Sequence, residues 1–231
     1  MNFSASGARS SATKVLSIND GNAYYNFSTK WTQMKAIFQG EGYTTTEVSG
    51  PSAHSALLPI PSDVKLLVIN DPVYAFSATE INSLKSFASQ GGRILLVGEN
   101  PAYYYETYRA GVENPLLAAL GSSITVNGQC YAPGVFISTT AHQVTTGVAT
   151  SGSGSIYMNC ASYHTGHGTR DVAIGRDGSG NVMLSAVTVN TTPMPLGSLR
   201  AVLAPDEPAP RTLGPPQATL ARPRMAPPRR P

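Results

Sequence analysis

The feature that most constrains the fold is an alternation of short apolar segments with amphipathic helical segments. Residues 14–18, 64–69 and 93–97 are largely apolar runs, as expected for strands that are buried on both faces. Apolar residues recur at helical spacing between them, at Trp31, Met34, Ile37 and Phe38 and again at Ile81, Leu84, Phe87 and Ala88. Residues 43–48 alternate as a further strand. This order predicts βαβ units, and hence a parallel sheet covered by helices on both faces.

The helix that follows residue 76 carries signals at both ends. Ser77 and Glu80 have the spacing of a capping box, in which each side chain satisfies a backbone N–H group of the first turn. The pair Gly91-Gly92 supplies the helix stop. The sequence therefore predicts a well-bounded helix between these positions.

A third, shorter helix is predicted with Asn114 as its cap, Pro115 at its first position and Gly121 as its stop. Beyond it, short Thr-, Val- and Gly-rich runs predict strands at 124–126, 135–138, 155–158, 172–174 and 182–189. The last two flank a hairpin loop at 176–180. These strands either extend the sheet at one edge or form a small β appendage. The predicted fold class is α/β, a three-layer sandwich with a mostly parallel central sheet and extra C-terminal strands.

Composition divides the chain into three parts. Residues 1–12 are predicted to be a flexible segment, residues 13–192 the α/β domain, and residues 193–231 a Pro- and Arg-rich disordered tail. Residues 199–231 hold six Arg and two acidic residues, which leaves 10 basic and 11 acidic residues elsewhere. Because the domain is near neutral, we expect no basic face for nucleic acid.

Targeting signals and cysteines leave the compartment open. No run approaches the roughly 20 apolar residues of a membrane span, and residues 1–13 lack the apolar region of a signal peptide. The chain is therefore expected to be cytoplasmic or to begin after a removed leader. A content of only 13% charged residues slightly favours an exported or cell-surface protein. Cys130 and Cys160 permit either one disulfide or two free thiols.

The stretch from Ser77 to Glu99, SATEINSLKSFASQGGRILLVGE, resembles the class I glutamine amidotransferase-like fold. Residues 114–121, NPLLAALG, and 141–147, AHQVTTG, resemble a subset found in uncharacterised bacterial proteins that are often exported. The resemblance covers about residues 13–189 and rests on spacing and glycines. It implies a flavodoxin-like sandwich, and it implies a function far less directly.

One departure from the family pattern excludes its reaction. Class I amidotransferases carry a nucleophilic Cys in the turn after the strand that matches residues 93–97, and Glu99 stands at about that place here. The family's downstream His-x-Glu pair also has no counterpart. Since thiol acyl transfer needs a thiolate and an adjacent base, we expect no glutamine amidotransfer.

Polar residues follow three of the predicted strands, where parallel sheets bind ligands. The carboxylates of Asp20, Asp71 and Glu99 are hard oxygen ligands suited to Ca²⁺ or Mg²⁺. Amides and aromatic rings beside them would equally suit a polyol or glycan, and the predicted ligand-binding set therefore also includes Asn19, Tyr24, Asn70, Tyr74, Asn100 and Tyr103. The alternative is that these residues only cap the turns after each strand.

The histidines offer a second, weaker metal candidate. His164, His167 and Asp171 have a spacing that could hold Zn²⁺, although a surface loop is the favoured interpretation. His54 and His142 lie in predicted loops without a recognisable partner. No glycine-rich phosphate motif follows the first strand, so we expect no nucleotide cofactor.

Two functional hypotheses follow. The first is a binding or structural module on an amidotransferase-like scaffold, which recognises a small molecule, glycan or divalent cation at the ends of the strands. The second is a metal-assisted hydrolase of an ester, lactone or amide, in which Glu99 or Asp71 activates water beside a bound cation. No nucleophile–base pair can be recognised in the sequence, which favours the first. The oligomeric state is left open.

Overall fold

A computed structural model describes residues 11–20, 26–98, 106–127, 135–143, 156–158 and 162–194, with backbone alone for residues 106–110 and 135–136. In chain order the elements are β1 (Lys14–Asn19), α1 (Thr32–Gly40), β2 (Thr44–Ser49), a 3₁₀ helix (Ala53–Leu57), β3 (Val64–Asn70), α2 (Ala78–Ser89), β4 (Arg93–Val97), α3 (Glu106–Ala119), β5 (Thr125–Val126), β6 (Val135–Thr139), β7 (Ile156–Met158), β8 (His164–Thr165), β9 (Asp171–Arg176) and β10 (Val182–Val187).

The first four strands form a parallel sheet in the order β2-β1-β3-β4. This is the order of the first four strands in a flavodoxin-like sheet. All seven residues of β3 are buried, because this central strand has neighbours on both sides and helices over both faces. The predicted α/β fold class is confirmed.

Alternate residues of the central strands face opposite layers, as the two-residue period of a strand requires. Leu16, Ile18, Leu67 and Ile69 belong to one core, which they share with the 3₁₀ helix, α2 and α3. Val15, Leu66 and Val68 belong to a second core, with Phe38 of α1. The helices therefore cover both faces and complete a three-layer sandwich.

The predicted ends of α2 are confirmed, but the predicted start of α3 is wrong. The capping box of Ser77 and Glu80 is present. In contrast, α3 begins at Glu106 and contains Pro115 within it. The Asn114 side chain caps no helix and instead accepts a hydrogen bond from the Val126 backbone N–H at 2.8 Å. Packing of this helix against the core outweighs the one backbone hydrogen bond that proline removes, which is a tertiary effect that local sequence does not report.

The later strands form a separate six-stranded sheet in the order β5-β8-β10-β9-β6-β7, with antiparallel pairings. Of the two predicted arrangements, the structure therefore has the β appendage. The predicted hairpin joins β9 to β10, and Gly180 adopts a φ of 87° in its loop. Strand β8 is absent from the prediction, since its two residues carry no periodic signal.

After β10 the chain returns to the helical layer. The Asn82 side chain of α2 accepts a hydrogen bond from the Met194 backbone N–H at 2.7 Å and donates one to the Met194 carbonyl at 3.0 Å. Lys85, also on α2, donates to the Thr192 carbonyl at 2.9 Å. Met194 packs on the core that α2 covers. The anchored chain thus reaches residue 194, two residues past the predicted boundary.

Other predictions about chain organisation lie outside the described residues. These include most of the N-terminal segment, residues 195–231 of the tail, and both Cys130 and Cys160. Among the helices that the structure describes, none is long and apolar enough to cross a membrane.

Candidate functional site

The carboxyl ends of β1 and β3 bring four of the predicted site residues together. Asn19 is the last residue of β1 and Asp20 follows it, while Asn70 is the last residue of the adjacent strand β3 and Asp71 follows that strand. All four are at most 4% exposed. We call these four residues the rim. Their burial means that they support the loops above the strands rather than present a solvent-facing surface.

Asp20 fixes the loop between β3 and α2. Its carboxylate accepts hydrogen bonds from the Val73 backbone N–H at 3.1 and 3.2 Å and from the Tyr74 backbone N–H at 3.0 Å. Tyr74 itself is 49% exposed. The buried carboxylate therefore fixes the backbone position of an exposed aromatic residue.

His54, in the 3₁₀ helix, is the main rim partner that sequence reasoning missed. Its Nε2 lies 2.9 Å from Oδ2 of Asp20, and its Nδ1 lies 3.4 Å from Oε1 of Glu80. The approach to Asp20 is oblique, so we treat that contact as an ion pair rather than an aligned hydrogen bond. The imidazole also stacks on Phe76, with 4.3 Å between ring centroids.

Two opposing effects set the charge of His54. Burial alone would lower the pKa of His54, but the contacts with Asp20 and, to a smaller degree, Glu80 raise it above its usual value. The imidazole is thereby biased toward its protonated form, in which each ring nitrogen carries a hydrogen and faces a carboxylate. The prediction that His54 lacks a partner is wrong. The sequence does not reveal the two partners because both come from other elements of the fold.

Glu80 connects this ion pair to the start of α2. Its Oε2 accepts hydrogen bonds from the Ser77 backbone N–H at 2.7 Å and from the Ser77 hydroxyl at 2.8 Å, while Oε1 faces His54. One carboxylate thus closes the capping box and joins the helix to the 3₁₀ helix. The end of β1, the 3₁₀ helix and α2 are consequently linked through His54.

A further carboxylate, from α3, lies beside the end of β4. Asp71 adopts a φ of 50°, in the left-handed region, and its backbone N–H donates to the Val97 carbonyl at 2.7 Å. At the next residue, Gly98, an added Cβ atom would lie 2.6 Å from Oε1 of Glu113, a buried residue of α3. Glu113 thus reaches the turn after β4. No sequence signal marks it, because it lies in a part of α3 that precedes the predicted start of that helix.

Four other residues of the predicted site lie outside the described residues, namely Tyr24, Glu99, Asn100 and Tyr103. Because Glu99 is one of them, the predicted metal site of Asp20, Asp71 and Glu99 stays a prediction. Within the part of the chain that the structure describes, no group of three or more His, Cys, Asp or Glu side chains is arranged to hold a metal ion.

The second metal candidate falls in the antiparallel sheet. His164 lies in β8 rather than in the predicted surface loop, and its Nδ1 lies 2.8 Å from the Ser185 hydroxyl. His167 approaches the same hydroxyl through Nε2, at 2.9 Å. Asp171 instead accepts hydrogen bonds from Gly168, Ser122 and Ser123. The two histidines thus converge on a serine, while the aspartate accepts from two backbone N–H groups and from the Ser122 hydroxyl.

The comparisons with known proteins assign a family. The family model described as "Domain of unknown function (DUF4350)" matches residues 27–186, which is more than half of the chain. The chain belongs to the DUF4350 family. No curated protein matches it significantly.

Solved structures resemble this DUF4350 domain at the level of the fold. The mmIFT52 N-terminal domain has a TM-score of 0.52 and 17% identity, over 75% of this chain and 77% of that one. A GMP synthase-like protein from Thermoplasma acidophilum has a TM-score of 0.46 and 12% identity, over 76% and 78% of the respective chains. At such low identity the first likeness supports the α/β architecture alone.

The chemistry available at the rim of the DUF4350 domain follows from His54. A general base needs a ring nitrogen with a free lone pair within reach of the proton that it removes. Here both nitrogens of His54 face carboxylates, and the raised pKa of His54 favours the imidazolium. The histidine therefore links Asp20 to Glu80 of α2 and is poorly placed to transfer a proton to or from a ligand.

Proposed function

We propose that this DUF4350 domain is a binding or structural module that carries out no amide transfer and recognises a polyol or glycan at Tyr74, in the loop that the rim residue Asp20 holds. The observation that carries the proposal is the fixed position of Tyr74. Its backbone is held by the buried Asp20 carboxylate while its side chain is 49% exposed. An exposed aromatic ring carried on a fixed backbone can stack on the apolar face of a sugar ring.

The charges around Asp20 favour a neutral ligand over a cation. The carboxylate already faces His54 and accepts two backbone N–H groups, so much of its charge is compensated within the protein. A divalent cation such as Ca²⁺ or Mg²⁺ binds best to carboxylates whose charge is not compensated. We therefore rank the polyol or glycan first and keep the cation as the second ligand class.

The test is a titration of the full-length chain with neutral monosaccharides and with cello- and malto-oligosaccharides, measured by isothermal calorimetry. Tyr74→Ala should abolish the binding of any sugar that the parent binds. Tyr157→Ala is the matched control, since Tyr157 is 55% exposed and lies in β7 of the other sheet. Equal loss in both variants, or no sugar binding by the parent at millimolar concentration, would contradict the proposal.

The metal-assisted hydrolase stays as a second proposal because of Asp71. A non-glycine residue in the left-handed region stores backbone strain, and such residues cluster at functional sites. In this proposal Asp71 or Glu99 activates a water beside a bound Ca²⁺, Mg²⁺ or Zn²⁺. Turnover of simple esters or lactones that is lost with EDTA and in Asp71→Asn would favour it over the binding module. Turnover that is unchanged by both treatments would eliminate it.

A further inference from the structure

The Ser185 hydroxyl lies between two imidazoles in the antiparallel sheet, away from the rim. Ser185 belongs to β10, which pairs with both β8 and β9, and His164 and His167 reach its hydroxyl from β8 and from the connection that follows. All three side chains are partly exposed to solvent. Two ring nitrogens therefore contact one hydroxyl in a part of the sheet that is partly open to solvent.

The Ser185 hydroxyl has one hydrogen to donate, so the two histidines have different roles. A hydroxyl donates one hydrogen, so if both contacts are hydrogen bonds, one imidazole accepts it and the other donates N–H to the oxygen. Burial, and to a smaller degree the charge of His167, lowers the pKa of His164 to about 4. The lowered pKa makes His164 a weak base, which leaves Nε2 of His167, 2.9 Å from the hydroxyl oxygen, as the nitrogen in reach of the Ser185 proton.

Asp171 supplies negative charge near His167. Burial alone would raise the pKa of Asp171, but the hydrogen bonds from Gly168, Ser122 and Ser123 lower it, so the carboxylate stays ionised. The charge of His167 contributes to the same lowering, which means that the two groups attract each other when His167 is protonated. The fixed carboxylate of Asp171 thus lies within electrostatic reach of the His167 ring.

We infer that Ser185 is a nucleophile for acyl transfer from small activated carboxylic esters, with His167 as its general base. The Ser185 oxygen attacks the ester carbonyl, and its proton passes to Nε2 of His167. The bond to the leaving alcohol breaks, and that alcohol takes the proton from His167. Water then repeats the sequence on the acylated serine, which releases the carboxylic acid and restores the hydroxyl. The balance of these steps needs no metal, so this site is independent of the one proposed at the rim.

The experiment uses the full-length chain with p-nitrophenyl acetate and, separately, with a fluorophosphonate. Release of p-nitrophenolate is followed by absorbance, and the modified peptide is mapped by mass spectrometry. The acetyl and phosphonyl groups are expected on Ser185. Ser185→Ala and His167→Gln should each slow the reaction by about 10²-fold or more. Ser179→Ala is the matched control, because Ser179 is an exposed serine in the nearby hairpin and its variant should react like the parent.

Two outcomes would overturn the inference. One is modification only at lysines, tyrosines or other serines of the parent chain, and the other is a folded Ser185→Ala variant that reacts at the parental rate. Peptide mapping on the parent chain needs no variant, so it decides the question even if Ser185→Ala fails to fold. A circular dichroism spectrum and a thermal melt of each variant establish which measurement applies.

Discussion

Acidification from pH 8 to pH 5 is expected to destabilise the native state through His164. In the unfolded chain this imidazole has an ordinary pKa of 6.5, whereas burial lowers the pKa of His164 to about 4 in the folded protein. The unfolded state therefore binds a proton between these values that the folded state does not bind. Stability is full above about pH 6.5 and falls as the pH decreases toward 4.

The size of the effect follows from proton linkage. Between pH 8 and pH 5 the difference between the two pKa values corresponds to a loss of about 2 kcal/mol in the free energy of unfolding. His54 acts in the opposite direction, since its raised pKa favours the folded state below about pH 6.5 and this stabilisation is lost at higher pH. The pH dependence of the parent protein's stability thus combines opposing contributions from two histidines. Mutation of one histidine separates the two contributions.

The assay is urea denaturation of the parent chain and of His164→Asn at pH 8 and pH 5. Asparagine is neutral and can still hydrogen-bond to Ser185, so the variant lacks only the titration. Titratable groups that do not interact with His164 contribute equally to both proteins and cancel in the comparison. We expect the stability lost between pH 8 and pH 5 to be about 2 kcal/mol smaller in the variant. Equal losses in the two proteins would show that His164 titrates normally and would refute the reasoning.

Three further predictions concern stability and are measured by urea or thermal unfolding. Leu84→Ala should cost about 2–5 kcal/mol, because Leu84 is fully buried and its loss leaves a cavity; a cost below about 1 kcal/mol would contradict the described core. Ser77→Ala should cost about 1 kcal/mol by removing the capping box, and no loss would indicate that the cap is dispensable. Gly98→Ala should cost about 1–3 kcal/mol, since the new methyl group would displace the Glu113 carboxylate. Gly178→Ala meets nothing within 4 Å and serves as its control, so equal costs in the two variants would argue against the Glu113 contact.

The parallel half of the fold is predictable from sequence because local signals and tertiary structure agree there. The apolar run of β3 is buried at every residue, and α2 has the capping box that its spacing indicates. The predicted start of α3 is wrong because Pro115 is typical of a first turn, whereas packing of the helix onto the core tolerates it in the interior. Strand β8 escapes prediction because two residues are too short for a periodic pattern.

The candidate site was predictable only in part. The ends of β1 and β3 lie side by side in any parallel sheet with this strand order, so Asn19, Asp20, Asn70 and Asp71 could be placed together. The contacts of His54 with Asp20 and Glu80 join residues far apart in the chain, and no local pattern reports such pairs. Glu80 is recognisable as a cap, but only one of its two oxygens is used there.

The anchoring of residues 190–194 on the helical layer has a consequence for how the molecule unfolds. The segment leaves the antiparallel sheet and is bound to α2 through Asn82 and Lys85, so the two sheets are connected at both ends of the appendage. Separating them would break the hydrogen bond that Lys85, a residue only 4% exposed in the folded domain, donates to the Thr192 carbonyl, and would uncover the core on which Met194 packs. The parallel and antiparallel sheets should therefore melt together in a single cooperative transition rather than as two independent units.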